Sequence, residues 1–315
     1  MRELFLIESN TVIRYTDIAV SQLQETLESS DGLFWFDIEQ MTDEDVAFFG
    51  DFKEFQFHQL TIADCRSPDG RPKINEYPEC LFLVLYVPED NGTDLMKLCL
   101  FLTPDFLITV HPTPIPFLQN VKSQIEQDYL MMRSPGYCLA MVLEAVTTEF
   151  EEGMITIESE VTDMELGRTF HREMVYHINR RRKELSTLQR TLSIQADMLR
   201  GLYSHSNPQL QPDTIIRIRD VYHRTAHMVD SLDTHREQLS GFRDGAVAGM
   251  TARMHRSTTR ATTIATIFLP LICVAALLGM NRELLGLSPP VGFAVALTVL
   301  AVIAGRIAMA TGREE

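Results

Sequence analysis

Two apolar runs near the C-terminus, residues 261–278 and 291–310, constrain this chain more than any other feature. The first holds no charged residue, and with its flanks it reaches the roughly 20 residues that a helix needs to cross hydrocarbon; the second is long enough too. Residues 282–290 between them allow only a short return, which predicts a membrane hairpin. The first run ends in Gly279-Met280-Asn281. A side-chain amide at a membrane boundary is costly unless another protein group or water satisfies it, and several copies around an axis would offer amide and carbonyl oxygens to a passing cation. Such a ring requires an oligomer.

The first 250 or so residues contain no other stretch of spanning length, and at roughly 100 to 200 residues per domain they hold soluble domains. Met1-Arg2-Glu3-Leu4-Phe5 lacks the basic and apolar regions of a secretory signal, so the N-terminal part is expected in the cytoplasm. Arg253, His255, Arg256 and Arg260 precede the first run, whereas the short loop holds Arg282 against Glu283. That bias predicts a multi-pass protein of the cytoplasmic (inner) membrane with both termini inside, Arg306 snorkelling to the same face. Cys65, Cys80, Cys99, Cys138 and Cys273 form no CxxC pair, which argues against a zinc knuckle or a disulfide framework. A formal charge of −15 and a pI near 5.0 exclude a nucleic-acid partner. The same charge either gathers cations by a focused field or serves solubility alone.

Residues 1–112 read as an α/β unit. Short β-type runs cover 3–9 and 11–16, a buried strand 33–38, a helix capped by Thr42 residues 42–55, and further strands 81–87, 96–102 and 106–111. After Pro112, Pro114 and Pro116 the periodicity turns helical over 117–132, 136–170 and 171–203, with breaks at Ser134-Pro135 and at 204–212. From 213 to 278 only Pro270 interrupts. Ile218, Val221, Thr225, Val229, Leu232, Leu239, Phe242, Ala246 and Met250 form a near-heptad stripe there. One continuous helix would measure about 100 Å at 1.5 Å per residue; two helices bent near Gly241, Gly245 and Gly249 are the alternative.

The sequence Thr263-Ile264-Ala265-Thr266-Ile267-Phe268-Leu269-Pro270-Leu271, followed by Gly279-Met280-Asn281 and a second span, closely resembles the signature of the CorA family of magnesium and cobalt transporters. Upstream, Phe57-His58-Gln59-Leu60, Ala63-Asp64, Arg71-Pro72-Lys73-Ile74, Leu107-Ile108-Thr109-Val110-His111 and Arg219-Asp220-Val221-Tyr222 resemble further motifs of that family. The resemblance implies a funnel-shaped homopentamer: an α/β cytoplasmic domain at 1–112, a helical hairpin region at 113–212, and a long pore helix whose stalk part is 213–260. It further implies a first transmembrane helix at 261–281, an outer loop at 282–290, a second transmembrane helix at 291–311, and a cytoplasmic tail at 312–315. Lipid, divalent cations and other copies of the chain are the implied partners.

By the same resemblance Gly279, Met280 and Asn281 are the selectivity filter. Mg²⁺ holds its water shell tightly, so a ring of amides and carbonyls suits gripping the hydrated ion through its waters. Asp64 and Asp244 fall on a regulatory Mg²⁺ site between subunits, and Asp220 on a second cytoplasmic metal site whose acidic companion is here Ala63. Thr258 and Ala261 stand where relatives carry a bulky apolar gate, and Leu269 and Ile272 are expected to supply the constriction further out. The loop lacks the family's Met-Pro-Glu-Leu stretch. Passive uptake of Mg²⁺, with Co²⁺ and Ni²⁺ as competitors, is the expected function. A ZntB-like zinc carrier, some of which are proton-coupled, and a non-conducting membrane-anchored sensor or assembly protein are the alternatives.

Other groups carry weaker signals. His223 and His227 have the i, i+4 spacing of a metal clamp, with His235 nearby, but two ligands do not make a site. Arg180-Arg181-Arg182-Lys183 reads as a charged helix face pairing with Glu158, Glu160 or Glu165. No Walker loop, His-Glu-x-x-His or Gly-x-Ser-x-Gly is present, so neither ATP-driven pumping nor an enzyme is expected, and no organic cofactor.

Overall fold

Strict alternation in the central strands sorts the N-terminal residues onto two sheet faces. The computed structural model describes residues 1–8, 11–30, 32–51, 57–67, 70–78, 80–89, 94–128, 132–166, 172–204, 207–280, 294, 298 and 302. Strands β1 (Arg2–Glu8), β2 (Thr11–Thr16), β3 (Leu33–Glu39), β4 (Lys73–Glu76), β5 (Leu81–Pro88), β6 (Leu95–Leu102) and β7 (Phe106–His111) form one seven-stranded sheet, in the order β2-β1-β3-β7-β6-β5-β4. The β3–β7 pair is parallel and the other pairs are antiparallel. Helices α1 (Val20–Ser29), α2 (Asp43–Asp51), α3 (Gln59–Arg66), α4 (Pro116–Gln127), α5 (Pro135–Leu166), α6 (Arg172–Ser204) and α7 (Pro212–Met280) complete the described elements.

By its internal contacts the chain divides into two units: Met1–Thr169 with Tyr176–Phe242, and Phe170–Val175 with Arg243–Glu315. In the first unit, Leu4, Leu6, Phe34, Phe36, Ile38, Phe82, Val84, Cys99, Phe101, Ile108 and Val110 face Leu23 of α1, Phe48 and Phe49 of α2, and Ile62 of α3. Phe57 joins them as an aromatic bridge, 4.3 Å from Phe101 and 5.5 Å from Phe49 between ring centroids. Thr42 opens α2 with a reciprocal cap: the Asp45 carboxylate accepts from its N–H at 2.7 Å, and its hydroxyl oxygen accepts from the Asp45 N–H. The expected helix over 42–55 is described to Asp51; residues 52–56 lie outside the described residues. Helices α1 and α3 and strand β4 are additions to the sequence reading.

The opposite sheet face packs against α5 and carries a buried charge network. Register sets Glu3 beside Asp37 and Asp37 beside Thr109, so three polar side chains stand in one row. Lys122 of α4 enters that row and reaches Glu3 Oε2 at 2.5 Å and Asp37 Oδ2 at 2.6 Å, all of them buried. Arg14 donates to the other Glu3 oxygen at 2.6 Å and lies over the Phe5 ring. The Thr109 hydroxyl donates to Asp37 Oδ1 and accepts from Trp35 Nε1 at 3.1 Å. His111 meets Asp37 at 3.1 Å and the Thr113 carbonyl at 2.7 Å. Burial pushes the Asp37 carboxyl up, but His111 and Lys122 together outweigh it and hold it down to about 2. Burial likewise lowers His111, and the hydrogen bond and charge of Asp37 reverse this and raise it.

Within the first unit, α5, α6 and the start of α7 are joined by apolar stripes and flanking ion pairs. Phe150, Ile157 and Val161 of α5, Ile178, Leu185, Leu188 and Leu192 of α6, and Ile218, Val221, Leu232 and Leu239 of α7 are buried. Arg181 bonds Glu160 at 2.7 Å, Arg217 bonds Glu144 at 3.0 Å, and Arg224 bonds Glu151 at 2.6 Å. The basic run at 180–183 is therefore a paired helix face at Arg180 and Arg181. Helix α7 runs unbroken from Pro212 to Met280, glycines and Pro270 included.

Removing one partner from a buried ion pair costs about 3–5 kcal/mol because the other charge is left uncompensated. Lys122→Met should therefore lower unfolding stability by that order, read in denaturant through the fluorescence of Trp35, the only tryptophan. A pH profile of the same signal tests His111. Its pKa is raised on folding, so its contribution is full below its ordinary value of 6.5 and fades as pH climbs through the raised value. Stability should decline across that window, and His111→Gln should flatten the decline.

Candidate ion path and metal site

Helical register places the candidate pore residues on one face of α7. At 100° per residue, Thr258, Ala261, Leu269 and Ile272 fall within an arc of roughly 80°. The same arc takes in Val247, Thr251, Met254, Ala265, Ala276 and Gly279, so steps of three and four continue from 247 to 279. Every one of these side chains that is described is exposed in the single chain, with Met254 at 72%, Leu269 at 66% and Ile272 at 62%. Arg253, Arg256 and Arg260 cluster on another face, centred roughly 150° away. One side of this helix is thus uncharged and lined by small, hydroxyl and apolar residues, while its guanidinium groups turn aside. Met254 is missing from the sequence reading; counting back in steps of three and four from Thr258 would have found it.

Among the described residues no helix is long and apolar enough to cross a membrane. Within the first apolar run the hydroxyls of Thr263 and Thr266 donate to the carbonyls of Thr259 and Thr262 at 2.8 Å, and Thr298 of the second run does the same to Ala294. These polar groups need no water. Gly279 and Met280 are the last residues of α7. Asn281, the loop at 282–290 and, apart from 294, 298 and 302, the second run lie outside the described residues.

Asp64 sits in the last turn of α3, which His58 opens by accepting from the Leu60 N–H. Its carboxylate, 28% exposed, is ion-paired through Oδ2 with Lys73 Nζ. Register explains the meeting, because Lys73 is paired with Val84 and Val84 with Cys99, one row on the face that α3 covers. From the same face Lys97 donates to the Asp64 carbonyl at 2.6 Å and the Ser67 carbonyl at 3.1 Å, capping the helix end with positive charge. The half-buried Cys65 thiol has its pKa pushed well up, first by interaction with the Cys99 thiol and then by burial.

Asp244 belongs to the other unit and is 67% exposed. Arg243 Nε and Nη2 both donate to its Oδ1, at 3.0 and 2.8 Å. Asp220 is exposed on α7, and its charge helps to raise the pKa of Arg224 after the larger effect of the Glu151 hydrogen bond. His223 and His227 are also exposed. No group of three His, Cys, Asp or Glu side chains able to hold a metal occurs among the described residues. Among the described residues Asp64, Asp220 and Asp244 thus stand as separate carboxylates. Beside these, Phe117, Glu144, Glu149, Glu152, Arg217 and Arg224 help to line an open groove of about 460 Å³.

The family model for CorA-like Mg²⁺ transporter protein matches residues 30–310. The chain is similar to the cobalt/magnesium transport protein CorA of Thermotoga maritima, 26% identical over 259 residues, which cover 79% of this chain and 74% of that protein. It is also similar to the zinc transport protein ZntB of Pectobacterium atrosepticum, 22% identical over 250 residues, with 76% and 74% covered. Its fold is similar to the complete structure of the CorA magnesium transporter from Methanocaldococcus jannaschii, with a TM-score of 0.81 at 19% identity, covering 100% of this chain and 98% of that one.

Proposed function

The chain belongs to the CorA-like Mg²⁺ transporter family, whose members carry divalent metal ions and are not enzymes; from that premise we propose a passive Mg²⁺ channel of the cytoplasmic membrane, with Co²⁺ and Ni²⁺ as competing ions. The observation that carries the reading is the uncharged, exposed stripe on α7 set apart from Arg253, Arg256 and Arg260. A cation route needs a wall free of fixed positive charge, and a helix whose uncharged wall is exposed among the described residues suits assembly with further copies around an axis. Five copies make the funnel. The α/β domain and the stalk lie in the cytoplasm, α7 from 261 onward crosses the bilayer, and the 291–311 segments form the outer ring.

Asn281 amides and Gly279 carbonyls then face the incoming hydrated ion, and rings of Ile272, Leu269 and Met254 provide apolar constrictions that dewet when narrow, in place of Thr258 and Ala261. Inside-negative potential favours entry of a divalent ion by about 4.6 kcal/mol per 100 mV, so no fuel is needed. Asp64 of one subunit and Asp244 of its neighbour, bridged by Mg²⁺, hold the assembly closed when the ion is plentiful. Asp220 serves a second, weaker cytoplasmic site.

The similarity to a zinc transport protein favours a second reading in which Zn²⁺ is the cargo. Liposomes containing the purified protein separate the two: Mg²⁺ influx driven by potential alone is expected, and Zn²⁺ influx that needs a pH gradient would replace this reading with the second. Asn281→Ala should abolish Mg²⁺ influx. A variant as fast as the parent would remove the filter assignment, and a parent that carries neither ion would leave a membrane-anchored sensor.

A further inference from the structure

The arginines that turn away from the uncharged stripe of α7 form a pattern of their own. Arg253, Arg256, Ser257 and Arg260 stand at i, i+3, i+4 and i+7, which places them within an arc of about 100° and along about 10 Å of helix. All four side chains are exposed. The chain carries a net charge of −15, yet from Gly245 to Arg282 it holds no Asp, Glu or Lys. Among the described residues Arg256 and Arg260 have no carboxylate partner. On the same face the next residues are apolar: Ile264, 57% exposed, and Ile267, half-buried. The change from guanidinium to aliphatic side chains falls where the uncharged run begins, at residue 261.

We propose that Arg253, Arg256, Ser257 and Arg260 form a docking face for the phosphate headgroups of anionic phospholipids in the cytoplasmic leaflet. This rests on the reading that α7 crosses the bilayer from 261 onward with its stalk in the cytoplasm. A strongly acidic chain is repelled as a whole by a negative membrane surface, so attraction has to come from a local group of cations, and screening confines it to roughly 8 Å. All three cations are arginines, whose planar fork matches two phosphate oxygens where an ammonium offers a point charge. The Ser257 hydroxyl adds a donor on the same face. Ile264 and Ile267, on the hydrocarbon side, meet acyl chains, so one helix face matches a lipid from headgroup to tail. The contact pins α7 at the depth where its charge ends.

The test is native mass spectrometry of the detergent-solubilised full chain titrated with phosphatidylglycerol or phosphatidylcholine, with Trp35 fluorescence confirming that each variant is folded. The parent should retain phosphatidylglycerol in preference, and Arg256→Gln and Arg260→Gln should each weaken that retention by about fivefold. Arg256→Lys with Arg260→Lys should fall between parent and double Gln variant, while Arg180→Gln, on α6, should match the parent. Flotation with vesicles of either lipid after detergent removal reports membrane insertion separately. A chain that floats but retains both lipids equally, or whose preference survives the double Gln variant, refutes the docking face and leaves the membrane reading standing. A preference that emerges only after Glu314→Gln and Glu315→Gln assigns the arginines to the acidic tail and likewise refutes the lipid as occupant. A chain that floats with neither vesicle overturns the membrane reading and the docking face together.

Discussion

Helix α7 changes character along its length, with an apolar stripe buried in its first part and its described side chains exposed or half exposed beyond Ala246. A long α-helix can do so because its backbone hydrogen bonds are internal and travel with it. What changes along α7 is the destination of its side chains. Up to Ala246 an apolar stripe at heptad-like spacing is buried, with Ile218, Val221, Leu232 and Leu239 fully enclosed. From Val247 onward the described side chains stand exposed or half exposed, and a second stripe, rotated from the first, runs toward Gly279 at the end of α7. The hydroxyls of Thr251, Thr263 and Thr266 donate to the helix's own carbonyls four residues back. The helix therefore brings no unsatisfied polar burden from these threonines wherever its outer part is placed.

The ion pairs of this molecule fall into two kinds with different consequences. Lys122, Glu3 and Asp37 sit where water does not reach, beneath a sheet and two helices, so each depends on the others and none can be traded for a mobile ion. Lys73 with Asp64 and Arg243 with Asp244 remain in contact with water, where breaking a pair costs little because solvent replaces the lost partner. The first kind fixes α4 to the sheet. The second kind can respond to the composition of the solution.

Much of the fold was legible because it follows from simple periodicities. The strands at 33–39, 81–88, 95–102 and 106–111 are long, apolar runs bounded by turn residues, and they emerge within a residue or so of their expected limits. The helix at 116–127 stops before the expected 132, since Asp128 is already extended. Helix α1 escaped notice because Leu23 is its only fully buried residue, and α3 because eight residues with Thr61 and Ile62 inside give no readable period. Strand β4, with four residues at a sheet edge, carries less signal still. At the candidate site the sequence named Asp64 and Asp244 through resemblance but not their cations. Lys73 lies nine residues from Asp64, and only the pairing of β4 with β5 beneath α3 brings the two together. The Gly-Met-Asn motif was legible in the sequence, and its Asn281 lies outside the described residues.

In the proposed reading, a regulatory site that must release its ion when supply falls has to bind weakly, and the surroundings of Asp64 and Asp244 would favour weak binding. Millimolar affinity corresponds to about −4.1 kcal/mol, a small fraction of what a cage of several desolvated carboxylates yields. Two carboxylates open to water, each ion-paired with a side chain of its own chain, would sit at the low end of that scale. A deeply buried acidic pair would have the opposite fault, since it would need a permanent counter-charge merely to fold, as Glu3 and Asp37 need Lys122. Carboxylates in contact with water at the end of α3 and on an exposed face of α7 would therefore suit reversible binding in that reading.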